Sequence, residues 1–185
     1  MNAHARLLPV ILLLAAIGIP GFAAGPDSPP SAAALSGLSP EQMLDLANQW
    51  GMKAEENSLA VWTTSRAFNF VFGDGSKQVI AMPGDRVPVS IAPYIVKTHP
   101  CSAHYPTTCR GELANTAVHV TAVTTDGRKL LDEQTTTLPN GFIDLWLPRG
   151  LEIDITLEAR GLRVTQRIGT SDTDPTCITT PKLHY

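Results

Sequence analysis

The sequence is poor in the residues that most often announce a function. Cysteine occurs three times in 185 residues. That is too few for a disulfide-built scaffold, and an odd count leaves at least one thiol without a partner in its own chain. Lysine and arginine total 14 against 17 acidic residues, a formal net charge of −3. The basic footprint of a nucleic-acid binder and the polybasic patch of a membrane-surface protein are both missing. Methionine occurs four times, and only Met43, Met52 and Met82 remain beyond the first residues, which does not support a methionine-rich metal site. Beyond residue 19 no apolar run approaches the roughly 20 residues that span a bilayer. Catalytic templates are absent as well: no Gly-x-Ser-x-Gly elbow, no His-Glu-x-x-His, no phosphate-binding loop ending in Lys-Ser and no Cys-x-x-Cys pair. Asp172 and Asp174 are spaced like the start of a calcium loop, but its glycine and closing glutamate are missing. An enzyme is therefore the least favoured reading.

What is present suits an exported globular protein. With 43% apolar and 17% charged residues the chain can form one or two domains. Residues 1–23 carry a basic start at Arg6, an apolar run from Leu7 to Ile19, and small residues at Gly21 and Ala23. This is the pattern of a cleaved secretory signal, interrupted by Pro9 and Pro20 and too short for an anchor. The expected location is periplasmic or secreted, with no membrane attachment after cleavage, and all three cysteines work where oxidation is the default. Residues 24–38, rich in Pro, Ser, Ala and Gly, read as a flexible leader.

The expected fold class is α+β and mostly β. A short N-terminal helical segment is followed by an antiparallel, sandwich-like β-rich C-terminal domain. Ser39, Pro40 and Gln42 form a capping-box start, and Met43, Leu44, Leu46, Ala47 and Trp50 follow at helical spacing. Gly51 is expected to close the helix in a left-handed conformation. From residue 60 the apolar period changes to two, predicting strands over 67–72, 77–82, 87–91, 117–124, 130–137, 141–147, 151–157 and 162–168. Glu152, Asp154 and Glu158 alternate with apolar residues and read as a solvated sheet face rather than an acid/base pair. A helix-plus-hairpin domain over 39–92 and a metal-binding domain over 93–185 are the expected divisions.

The segment 93–111 breaks the alternation with prolines, two histidines and two cysteines. It runs through Thr98-His99-Pro100-Cys101 and His104 to Cys109, while Cys177 waits near the far end of the chain. Thiolate and imidazole select Cu(I) and Zn(II), whereas calcium and magnesium prefer carboxylates. Three thiolates suit trigonal Cu(I), and His99 or His104 can complete a fourth position for either metal. An ordinary Cys101–Cys109 disulfide, worth roughly 2.5 kcal/mol in the chain-entropy picture, with Cys177 buried and inert, stands equally at this point. His119, in a Val-His-Val alternation, reads as a strand surface residue, and His184 as part of a mobile terminus.

An ordered set of motifs adds to this reading. Ser90-Ile91-Ala92-Pro93-Tyr94, Thr98-His99-Pro100-Cys101-x-x-His104, Cys109-x-Gly111-Glu112, Asn140-Gly141-Phe142, Trp146-Leu147-Pro148 and Thr176-Cys177-Ile178-Thr179-Thr180 together resemble the bacterial copper-binding family CueP. The resemblance covers roughly residues 60–180. It implies an exported copper-resistance protein that sequesters Cu(I) through Cys101, Cys109 and Cys177, with His104 matching a motif histidine. It also implies reduction of Cu(II) by the thiols, transfer to a copper enzyme such as superoxide dismutase, and a two-domain, dimeric arrangement. A thiol-disulfide oxidoreductase is the expected partner for restoring the thiols. The alternatives are a zinc-binding protein using the same ligands and a disulfide-stabilised β-sandwich interaction module.

Overall fold

The computed structural model describes residues 31–53 and 59–185. The expected signal at 1–23 and the first part of the expected leader lie outside them. Among the described residues no helix is long and apolar enough to cross a membrane.

Helix α1, Pro40–Gly51, begins as its sequence dictates. The Ser39 hydroxyl accepts from the Gln42 backbone N–H, and the Gln42 side chain accepts from the Ser39 N–H at 2.9 Å. Its apolar residues Met43, Leu44, Leu46, Ala47 and Trp50 are all buried. They pack against a three-stranded antiparallel sheet in the order β1 (Ala60–Thr63), β2 (Ala67–Val71), β3 (Lys77–Ala81). Val61 lies opposite Phe70 and Thr63 opposite Phe68, so one face of this sheet presents buried side chains to the helix. The expected leader gives way over Ala32–Leu35, which forms a 3-10 turn. Leu35, its one large apolar side chain, finds a place in the α1 core and is buried there.

The second half is a sandwich. Strands β5 (Ala117–Thr124), β6 (Lys129–Thr136), β8 (Glu152–Ala159) and β9 (Leu162–Gly169) form an antiparallel sheet in the order β6-β5-β8-β9. Facing it are β4 (Arg86–Ile91), β7 (Ile143–Pro148) and the two-residue β10 (Cys177–Ile178), in the order β10-β4-β7. Val118, Val120, Ile153, Ile155 and Leu157 meet Val87, Val89, Leu145 and Leu147 in the buried core. The alternating carboxylates of β8 point outward as expected, with Asp154 accepting from Nε and Nη2 of Arg167 at 2.8 Å each.

Strand β7 works for both halves. Ile143, Leu145 and Leu147 enter the sandwich core, while Trp146 packs on Phe68 and Asp144 accepts from Asn48 of α1 at 2.7 Å. β4, on the N-terminal side of the expected boundary at 92, is thus hydrogen-bonded into the same sheet as β7 and β10. Two strands have no counterpart among the expected ones: β1, four residues long, and β10, only two. β10 also pairs with β4 in parallel, the one exception to the antiparallel pattern among the described strands. Runs this short carry too little alternation to be read from sequence.

Gly51 does not cap the helix in the expected way. It stays within α1, and Met52 follows with an ordinary right-handed φ of −72°. Its small size serves packing instead: a Cβ there would fall on the Pro106 carbonyl oxygen and lie 2.8 Å from the Thr107 Cα. Arg110 locks the same contact, donating to the carbonyls of Gly51 and Cys109 at 2.8 Å each. The expected result for Gly51→Ala is therefore a loss of about 1–3 kcal/mol in chemical denaturation, because backbone rather than a pliable side chain must move. Gly84→Ala, with nothing within 4 Å, is the control and should leave stability unchanged within about 0.5 kcal/mol.

Candidate metal centre

The loop following β4 is irregular, yet its backbone is tied at many points. Glu112 reaches back to accept three N–H bonds, from Ile95, Val96 and Lys97, at 2.8, 2.9 and 3.2 Å. Burial alone would raise its pKa, but these donors outweigh it and hold the carboxyl below its ordinary range. The Thr98 hydroxyl donates to the Thr179 carbonyl at 2.5 Å, and the Thr179 hydroxyl returns a bond to the His99 carbonyl at 2.6 Å. Thr176 donates from its backbone to Ser102 at 3.0 Å and from its hydroxyl to the Thr63 carbonyl at 2.7 Å. The Thr63 N–H in turn donates to the His104 carbonyl at 2.8 Å. β1, the 98–112 loop and β10 are therefore laced into one unit.

Beside the loop the Asn140-Gly141 turn comes in close. The Gly111 N–H donates to the Asn140 carbonyl at 2.6 Å, and Gly141 takes a φ of +84°. A Cβ on Gly111 would lie 2.5 Å from the Gly141 carbonyl oxygen, and one on Gly141 2.5 Å from that of Gly111. Only two glycines permit this approach. It delivers Phe142, fully buried, beneath the cysteines and within 4.6 Å of the His104 ring centroid.

These ties bring the three sulfur atoms together. Cys101 Sγ lies 3.6 Å from Cys109 Sγ, and Cys177 Sγ lies 3.9 Å from His104 Nδ1. All three thiols are free at these separations, far from the roughly 2.05 Å of a disulfide. Two donor groups emerge that share Cys109: His99, Cys101 and Cys109, and His104, Cys109 and Cys177. Within each, the donor atoms lie no more than 4.8 Å apart. Thiolate and imidazole donors around one ion at about 2.0–2.3 Å stand roughly 3.5–4 Å from each other, so small side-chain adjustments suffice to enclose an ion.

The electrostatics separate the thiols. A hydrogen bond from Cys177 is the main cause that brings the Cys109 pKa down to about 3, with His104, the Tyr105 backbone and His99 adding to it against the opposing effect of burial. Cys177 is pushed strongly upward as the donor to Cys109, with burial and Cys101 acting in the same sense. At Cys101, by contrast, burial is the leading cause of the rise. These directions favour negative charge at the middle sulfur over its two neighbours. The Nε2 atoms of both His99 and His104 are buried without a hydrogen-bond partner, an arrangement that is costly unless something else occupies them.

Every sequence-nominated ligand, Cys101, Cys109, Cys177 and His104, lies in this cluster, and His99 lies there too. Cys177 is buried, but beside the other two thiols rather than apart from them. Phe142, Thr176 and Glu112 support the site through packing and backbone bonds, and no local spacing in the sequence reports such roles. His119 stays on β5, bonded to Asp132 at 2.7 Å, away from the cluster. His184 departs from the expected mobile terminus: its backbone exchanges bonds of 2.8 and 3.1 Å with Arg163, forming a β-bridge. Asp172 pairs with Arg149 at 2.6 Å, and Asp174 caps the Ser171 N–H at 2.6 Å, so both are structural.

The geometry describes a buried pocket of soft donors, and similarity to known proteins points the same way. The model of the family described as periplasmic copper-binding protein CueP matches residues 45–182, three quarters of the chain. A solved structure, the crystal structure of S.CueP, is similar at 28% sequence identity with a TM-score of 0.74, covering 82% of this chain and 92% of that one. No curated protein sequence matches. The family is periplasmic, which implies export of this chain. A match of this extent, over a helix-and-sheet unit laced to a β-sandwich around three converging thiols, places the chain in the CueP family of periplasmic copper-binding proteins.

Proposed function

We propose that this chain sequesters Cu(I) in the exported compartment through Cys101, Cys109 and Cys177, with His104 as the imidazole ligand. The observation that carries this reading is the convergence of Cys177 on a loop more than sixty residues earlier in the chain, in a cluster of thiols and imidazoles without a carboxylate ligand. Such a donor set favours a soft monovalent ion. Copper is cargo here, held away from other reactions by burial.

The 3.6 Å separation of Cys101 and Cys109 also supports reduction of Cu(II). Two Cu(II) ions each take one electron from the Cys101–Cys109 pair, the two sulfurs join in a disulfide and the Cys101 proton goes to solvent, giving two Cu(I); the full thiolate set holds Cu(I) only after the pair is reduced again. The reaction is stoichiometric and stops until an outside thiol-disulfide oxidoreductase restores the pair. Release of Cu(I) to a copper enzyme such as superoxide dismutase completes the role.

A zinc-binding protein is the second reading. It is favoured by the two imidazoles, which can complete the four-coordinate sites common for zinc. Competition decides between them: stoichiometric Cu(I) should displace Zn(II), and retention of zinc would favour the second reading.

Cys177→Ser should abolish tight Cu(I) binding in competition against a Cu(I) chelator, despite the distance of residue 177 from the loop in sequence; unchanged competition contradicts the proposal. A thiol titration of the reduced chain before and after Cu(II) should show two thiols lost for every two copper ions reduced. Affinity for Cu(I) should weaken as pH falls. Cys177 has a raised pKa and is protonated in the free cluster, so binding displaces its proton. Each displaced proton lowers affinity by about tenfold per pH unit of acidification. Chelator competition across pH reads this slope, and a flat profile would argue against thiolate ligation.

A further inference from the structure

The cluster is not one symmetrical cage. A cavity of about 390 Å³ is lined by His99, Cys101 and Cys109, with Tyr105 and Thr108 at its wall. His104 and Cys177 do not line it. The burial follows the same division. His99 and Cys101 are half-buried, whereas His104, at 0% exposure, and Cys177, at 1%, lie behind them against Phe142. Cys109 belongs to both donor groups and is the one sulfur reachable from each side. Tyr105, partly exposed, is stacked against Trp62 with ring centroids 6.3 Å apart, which fixes the outer wall of the cavity on β1.

We propose that these are two overlapping stations: an arriving ion is received by His99, Cys101 and Cys109 at the cavity and then moves inward, pivoting on Cys109, to rest with His104 and Cys177. This rests on the copper-binding reading above and divides its three thiols between arrival and rest: Cys101 receives, Cys177 holds, Cys109 does both, and His99 gains a role. The cavity opens on the outer group, and the pair behind it is buried. A shared sulfur lets the ion exchange its other ligands without ever being bare, so the transfer avoids the cost of a free ion in a low-dielectric interior. Protons balance within the cluster. As the ion leaves Cys101 for Cys177, the incoming thiol gives up one proton and the outgoing sulfur takes one, so the net charge of the cluster is unchanged. Each donor group has an imidazole of its own, His99 in the outer one and His104 in the buried one.

A residue that only passes an ion along changes how fast it comes and goes, not how tightly it is finally held. The test is therefore kinetic. Cu(I) held by bicinchoninate is mixed with the reduced full chain in stopped flow, and the reverse transfer is started by excess chelator. For His99→Ala both rates should fall roughly 10-fold or more, while the equilibrium distribution of Cu(I) stays within about threefold of wild type. His104→Ala should instead weaken equilibrium binding and speed release. His99→Gln, which keeps a polar side chain at the site, should repeat the kinetic defect with an unchanged melting curve, separating loss of the station from loss of the fold. The scheme is overturned if His99→Ala weakens equilibrium affinity as much as His104→Ala, which would mean a single cage, or if it leaves both rates unchanged. A wild-type chain that takes no Cu(I) from the chelator overturns the copper reading itself, and that outcome is distinct from either of these.

Discussion

The site depends on a parallel pairing only two residues long. Cys177 and Ile178 lie beside Ser90 and Ile91 of β4, and the backbone bonds flank the pair: Ser90 N–H to Thr176 at 2.8 Å and Ala92 N–H to Ile178 at 2.9 Å. Without this pairing the third thiol would hang on a tail following β9. With it, Cys177 sits at the sheet edge, and the 98–112 loop, which leaves from the end of the same β4, has to pass directly over it. The Thr98–Thr179 and Thr176–Ser102 bonds then sew loop to strand on both sides of the sulfur. A strand too short to be stable alone is held because each of its neighbours needs it.

That arrangement explains how the structure tolerates a polar, ionisable cluster in its interior. Cys109 can carry negative charge at 7% exposure because thiol and imidazole donors surround it, and Cys177 remains a thiol because it is one of those donors. Phe142 lines the inner side and keeps water out. The rigid ties matter as much as the ligands. Gly51, Gly111 and Gly141 let three backbones approach where any side chain would collide, and Arg110 clamps the loop to the end of α1. Preorganised donors cost less to bring around an ion than donors that must first be collected.

Much of the architecture was legible because it is written in short-range patterns. The capping box at Ser39 and Gln42, the apolar face of α1 and the alternation of β5 and β8 need no long-range information, and β5 was predicted to its exact residues, 117–124. The misreadings share a cause. Gly51 has the right place for a left-handed cap but is small because a loop some 55 residues later packs on it. Leu35 lies in a composition that reads as structureless, yet the α1 core has room for it. His184 reads as a loose end but is bridged to Arg163. In each case a distant part of the chain decides.

For the centre, the sequence by itself determined the chemistry: an odd number of cysteines beside imidazoles, without a competing carboxylate set, in a chain whose motifs resemble a copper-binding family. It could not choose between a Cys101–Cys109 disulfide with an idle third thiol and a three-sulfur centre, because residue spacing says nothing about where position 177 lies in space. Tertiary structure supplies that position through β10, which sets Cys177 beside the other two sulfurs. It also divided the donors into an outer pair and a buried pair about Cys109, since depth beneath a surface belongs to packed layers and not to the order of residues.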